Sequence, residues 1–191
     1  MNFMACNSSE LQALRQHLRN QALSQRHKMR RRAQTRLSFR IGSLLSPLLK
    51  DKQVLAYFPV GKEPNLIPIQ KSPFYLPTVQ SHVQMLARQF IPKHLSKNKF
   101  GIWEPIPTCP IINPKDLEVV IVPALLVDTS GNRLGFGKGY YDRFLTQCPQ
   151  ALKIACVYDW QIVHKLPSLK HDIAMDMIIS ERRILSYRIS S

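Results

Sequence analysis

The residues best suited to chemistry lie close together, in the run VDTSGNRLGFGKGYYDRF from Val127 to Phe144. Four glycines fall within the nine positions Gly131 to Gly139, Lys138 stands between two of them, and Asp142 follows where a helix should begin. Glycines let backbone N–H groups come close to a phosphate, and a helix N-terminus adds a favourable field for an anion. Lys138 offers a point charge to the same group and Arg133 a bidentate fork. Asp142 is placed to hold magnesium directly or through water. Taken alone, the run also suits a structural turn with Lys138 merely exposed.

Two familiar motifs are excluded. A P-loop needs glycine five positions before the glycine that precedes lysine, and a hydroxyl after the lysine. Here Asn132 and Gly139 occupy those places. A dinucleotide fingerprint fails because Gly135, Gly137 and Gly139 are spaced too tightly. No Ser-His-Asp or Cys-His arrangement offers a nucleophile.

The elements that must position this loop are legible around it. Apart from Glu118, Leu117 to Val122 is apolar and mostly β-branched, as a strand buried on both faces of a parallel sheet should be. Leu152 to Val157 predicts a second such strand and Met177 to Ile179 a third, with a helix over Gly139 to Gln147. Strand, loop, helix and strand form a βαβ unit, so the expected class is α/β with a mostly parallel sheet. Val54 to Phe58 reads as a buried strand stopped by Pro59, and Phe74 to Leu76 and Val83 to Ala87 as further strands. Most of the 14 prolines fall between residues 59 and 123, which favours strands and loops there. There is no internal repeat, linker or low-complexity tract, so residues 1–191 are expected to form a single domain.

Ahead of this lies a basic segment, residues 8–50, read as two helices. Asn7 with Glu10 three residues on predicts an N-terminal cap, and Leu11, Leu14, Leu18 and Ala22 recur at helical spacing. A second helix is expected after Ser24, burying Leu37, Ile41, Leu44, Leu45 and Leu48 and disturbed by Pro47. Between Leu11 and Lys50 there are ten basic residues and no acidic one. Arg26, Lys28, Arg30, Arg31, Arg32, Arg36 and Arg40 are expected on a solvated outer face. A nucleic-acid patch is the weaker reading, because no known binding module fits.

Over the whole chain 27 Lys and Arg face 12 Asp and Glu, a net +15 that predicts anionic partners. The cysteines at 6, 109, 148 and 156 form no Cys-x-x-Cys pair and lie at no zinc-like spacing from histidine, so free thiols in a reducing cytosol are expected. No apolar stretch is long enough for a membrane span, and the first residues lack a secretory pattern.

The run GNRLGFGKGYYDRF resembles the signature of the 5-formyltetrahydrofolate cyclo-ligase (methenyltetrahydrofolate synthetase) family. Leu14-Arg15, AYFPVGKE ending at Glu63, YLP at 75–77, KFGIWEP at 99–105 and HDIAMDMII at 171–179 resemble family segments in the same order. The resemblance implies a compact three-layer α/β fold related to ribose-phosphate isomerases and coenzyme A transferases. It implies ATP-dependent cyclisation of 5-formyltetrahydrofolate to 5,10-methenyltetrahydrofolate with release of ADP and phosphate, through phosphorylation of the formyl oxygen. Carried over by position, Arg15 and the loop Arg133, Leu134, Gly135, Phe136, Gly137, Lys138, Gly139, Tyr140 and Tyr141 would hold ATP. Lys138 and Arg133 would stand at the transferring phosphate. Asp142 and Asp176 would bind Mg2+; Phe58, Glu63, Trp103 and Tyr140 would contact the folate. A monomer in the cytoplasm is expected, with no membrane or nucleic-acid partner. The chain departs from the family at Leu11, where a lysine usually helps to hold ATP. The rival readings are a basic nucleic-acid-binding protein and a different enzyme on the same fold.

Overall fold

A computed structural model describes residues 7–67, 73–81 and 83–187; Cys6 lies outside them. The chain opens with helix α1 (Ser8–Lys28), whose first turn carries the expected capping box between Asn7 and Glu10. The break comes at Met29 and Arg30 rather than at Ser24. Arg26, His27 and Lys28 suit the negative end of a helix dipole, and Lys62 donates to the terminal carbonyls of His27 and Met29. Helix α2 (Arg31–Leu45) runs into a 3-10 turn, Ser46–Leu49, opened by Pro47. Its buried seam passes through Ser38, Ile41, Gly42 and Leu45; Leu44, expected inside, falls at the edge and is 38% exposed.

Seven strands build the main sheet: β1 (Val54–Leu55), β2 (Phe74–Val79), β3 (Met85–Gln89), β6 (Val119–Val122), β9 (Leu152–Cys156), β11 (Met177–Ile179) and β12 (Ile184–Ser186). A hairpin of β4 (Leu95–Lys97) and β5 (Trp103–Pro105) lies in sequence between β3 and β6. The main order is β12-β11-β9-β6-β1-β2-β3. The five strands from β11 to β2 are parallel, and β12 and β3 run antiparallel at the two edges. Alternation along the strands sorts the core into layers. Val54, Val119, Ile121, Ile154 and Ile179 pack with Ile41 and Leu45 of α2 on one face. Leu55, Val120, Val122, Ala155 and Ile178 pack on the other face with Phe144 and Leu145 of α3 (Tyr140–Leu145). Each such side chain, fully buried, contributes about 1.5–3 kcal/mol. The βαβ unit β6-α3-β9 is therefore as expected.

The sequence did not announce a second, three-stranded sheet in which β7 (Leu126–Asp128) pairs with β8 (Arg133–Leu134) and β10 (Ile162–Val163). Fully buried Asp128 is the hub of its hairpin. Its carboxylate accepts from the amides of Ser130, Asn132 and Leu166 and from the Asn132 side chain, all at 2.9 Å. Helix α1 packs on this sheet through Ala22, against Leu125, Leu126, Leu134 and Leu166. Cys109, Cys148 and Cys156 are buried free thiols, and burial pushes the Cys148 and Cys156 thiols up. Among the described residues no helix is long and apolar enough to cross a membrane.

Candidate active site

The glycine loop leaves β8 after Leu134 and enters α3 at Tyr140. Gly137 and Gly139 have φ of 87° and 66°, the left-handed region that other residues rarely adopt. Arg143 reaches back to the Lys138 carbonyl at 2.9 Å and fixes the end of the loop. The Lys138 side chain itself is exposed, as expected.

Helix α1 lies over this loop with an unusual buried face. Arg15, Arg19, Ala22 and Arg26 are its buried residues, whereas Leu11, Leu14 and Leu18 are only half-buried. Buried charge demands partners. Arg15 makes a fork with Asp172 at 2.6 and 3.1 Å and donates to the Pro167 carbonyl at 2.7 Å. Arg19 donates to the Gly135 carbonyl at 3.0 Å and packs so close to Gly137 that an added Cβ would sit 3.1 Å from its guanidinium carbon. No carboxylate among the described residues pairs with Arg19; burial and the neighbouring Arg15 charge lower its pKa. Arg26, expected on the outer face, is buried instead, 3.4 Å from Glu63 and over the Phe136 ring at 5.5 Å.

Arg133 is buried and paired with Asp142 at 2.8 Å, and burial lowers its pKa. The same Asp142 oxygen accepts the Ile173 amide at 3.2 Å. Asp142 is thus tied down rather than fully solvent-facing. Three buried atoms here have no hydrogen-bond partner among the described residues: Nε of Arg15, Nε of Arg133 and the Tyr141 hydroxyl. Burial, reinforced by the Glu63 charge, pushes the Tyr141 hydroxyl up.

Glu63 closes the other side. It sits in the loop after β1 at the carboxyl edge of the sheet, where α/β sites tend to form. Its carboxylate accepts the Val60 amide at 2.9 Å; burial raises its pKa, and Arg26 opposes that shift. Tyr57 and Tyr158 hold this loop by donating to the carbonyls of Pro64 and Lys62, each at 3.1 Å. Burial pushes the Tyr158 hydroxyl up to about 12.

The remaining expected residues are placed differently. Phe58 is half-buried against the α2-side core. Tyr140 donates to the Ser81 carbonyl at 3.2 Å with Arg143 over its ring. Trp103 stands 39% exposed on β5 under the Lys97 ammonium, too open for a core tryptophan. Asp176 accepts the Lys153 amide at 2.8 Å and faces its ammonium at 3.4 Å, at the start of β9. Asp142 and Asp176 are therefore held by different cations, Arg133 and Lys153. Among the described residues no group of three or more His, Cys, Asp or Glu is poised for a metal. Sequence reasoning missed Arg19, Arg26, Asp128 and Asp172. The only available signal was the helical spacing of Arg15, Arg19 and Arg26 in a segment without acids.

Buried arginines from one helix meet Arg133 and a glycine loop beside a mostly parallel sheet, the arrangement of an α/β protein with its charged groups gathered at one loop. The sequence model of the 5-formyltetrahydrofolate cyclo-ligase family matches residues 7–181, and the chain belongs to that family. A 5-formyltetrahydrofolate cyclo-ligase from Mycolicibacterium smegmatis is 32% identical over 148 residues, 71% of this chain and 76% of that protein. The solved 5,10-methenyltetrahydrofolate synthetase of Aquifex aeolicus superposes with a TM-score of 0.83 at 32% identity, covering 93% of this chain and 95% of that one. The Mycoplasma pneumoniae synthetase, at 23% identity and a TM-score of 0.71 over 87% of this chain and 98% of that one, shares the fold.

Proposed function

We propose that this chain acts as an ATP-dependent 5-formyltetrahydrofolate cyclo-ligase, working as a cytoplasmic monomer in one domain of the ribose-phosphate isomerase-like type. The observation that carries the reading is the arginine face of α1 closed over the glycine loop. The unpartnered Nε atoms of Arg15 and Arg133 and the unpaired charge of Arg19 are what a triphosphate would satisfy. ATP, as co-substrate, supplies the phosphoryl group that makes the formyl oxygen able to leave. Arg15 and the loop from Arg133 to Tyr141 position it, while Lys138 and Arg133 neutralise charge that grows as the phosphoryl moves. Asp142 fits Mg2+ as a hard oxygen donor, since both of its described bonds fall on one oxygen. Asp176, held on Lys153, would join it only by turning from that partner.

Glu63 lies on the folate side. Its buried carboxylate, paired with Arg26, accepts hydrogen bonds from folate N–H groups, beside Phe58. Ring closure then forms a C–N bond, breaks the activated C–O bond, and releases a proton and phosphate. Trp103, 39% exposed, offers a ring face on which the folate can stack, and Tyr140 borders the loop from α3.

The test mixes purified protein with ATP, magnesium and 5-formyltetrahydrofolate and follows methenyl absorbance. Product that requires both ATP and a divalent ion is expected. Folded protein that gives none rejects the reading.

A further inference from the structure

The charge excess is not exhausted by the site. The outer face of α2 carries Arg32, Arg36 and Arg40 one turn apart, with Thr35 and Phe39 between them, and these five side chains line one shallow groove. All five are exposed, and Phe39 at 69% is more exposed than any other large apolar side chain described. No ion pair among the described residues reaches these arginines, and the first turn of α2 holds no acidic residue against Arg31 and Arg32. Arginines at the positive end of a helix work against its dipole. The groove lies apart from the α1 arginines, which are turned inward.

We propose that this face of α2 binds single-stranded nucleic acid, with Arg32, Arg36 and Arg40 on successive phosphates and Phe39 as a stacking platform. One helical turn spaces the guanidinium bases by about 6 Å, so the three can follow a strand laid along the helix. An exposed aromatic ring flanked by arginines is the pairing that ordered single strands use, with bases on the ring and phosphates on the cations. A membrane surface is the poorer match. The apolar stripe of α2, Ile41 and Leu45, is buried against the sheet, leaving too little apolar surface outside to enter lipid. This inference is independent of the folate reading.

The experiment titrates a labelled oligouridylate with the full chain, by fluorescence anisotropy over a range of salt. Binding should weaken steeply with salt, and the triple variant Arg32→Ala, Arg36→Ala, Arg40→Ala should reduce the log–log slope by about 2. Phe39→Ala should weaken binding about tenfold with little change of slope. Cyclo-ligase turnover, followed in parallel, should stay near wild type in both variants and so report intact folding. Slopes untouched by the triple variant would assign binding to overall charge and overturn the proposal. So would displacement of the oligonucleotide by ATP with loss of binding in Lys138→Ala, which would place the strand in the glycine loop. Co-sedimentation with phosphatidylserine vesicles that is lost in Phe39→Ala, without oligonucleotide binding, would replace nucleic acid with a membrane.

Discussion

Replacing Arg26 by methionine should make stability depend on pH in a predictable direction. Arg26 and Glu63 are buried as a pair, with side chains 5% and 3% exposed and 3.4 Å between them. Removing the cation leaves a buried carboxylate, a loss of about 3–5 kcal/mol while that carboxylate stays charged. At this chain length each kcal/mol moves Tm by about 2–4 °C, so a fall of about 6–20 °C is expected where Glu63 is ionised. Glu63 has an escape. Burial already raises its pKa, and Arg26 is the strongest influence opposing that rise. Without Arg26 the carboxyl should take up a proton at higher pH. A carboxyl whose folded pKa lies above its unfolded value stabilises the fold fully below the unfolded value, about 4.3, and loses that contribution as pH rises through the folded one. The variant should therefore melt near wild type in acid and fall progressively behind toward neutral pH, by up to about 1.4 kcal/mol per pH unit. Adding Glu63→Gln should remove most of this pH-dependent gap. Melting curves of wild type, single and double variants across the acid-to-neutral range decide it. A gap that stays constant with pH, or one the double variant fails to close, would refute the ion-pair reasoning.

Four further outcomes follow from the same geometry. Lys138→Ala should cut turnover about a hundredfold or more without loss of melting temperature, because the side chain is exposed; near-normal rates would return the loop to a structural role. Asp142→Asn should also slow turnover, but unlike Lys138→Ala it should lower Tm, since it removes the partner of buried Arg133. Leu11→Lys should lower the apparent ATP constant by about tenfold, placing an ammonium one turn before Arg15 on a half-buried position; an unchanged constant in a stable variant means the missing charge is already supplied. Asp128→Ala should destabilise the chain by about 3 kcal/mol or more, because four donors lose their acceptor; a shift below about 1 kcal/mol in chemical denaturation would show the hairpin is held otherwise.

What could be read from the sequence was what is local. The Asn7–Glu10 cap depends on residues three apart, and β6 declares itself by unbroken β-branched residues. The glycine loop was legible because left-handed backbone needs glycine whatever surrounds it. The partners of charged groups were not legible. Arg26 looked like any basic residue on a wet helix, and the carboxylate that draws it inward stands 37 positions later. Asp172 likewise meets Arg15 across 157 positions. The strands β7, β8 and β10 hold two or three residues each, too few for a period to show, and they exist because Asp128 gathers their turn. For Asp176 the family pattern suggested a metal ligand, whereas its immediate neighbour in space is Lys153.

The polar underside of α1 stands apart from the apolar scaffold. Its apolar attachment is small, centred on Ala22, while the main sheet and its two helix layers are sealed without it. A substitution at Arg19, which pairs with no carboxylate among the described residues, would change the charge of this face without orphaning a buried partner, whereas Arg15 and Arg26 each hold a buried carboxylate. The Arg15 charge bears unfavourably on both Arg19 and Arg133, so α1 is the element whose docking an anion should tighten most. Slower amide exchange along Ser8–Lys28 on adding ATP would be the signature of a helix that its own cargo helps to seat.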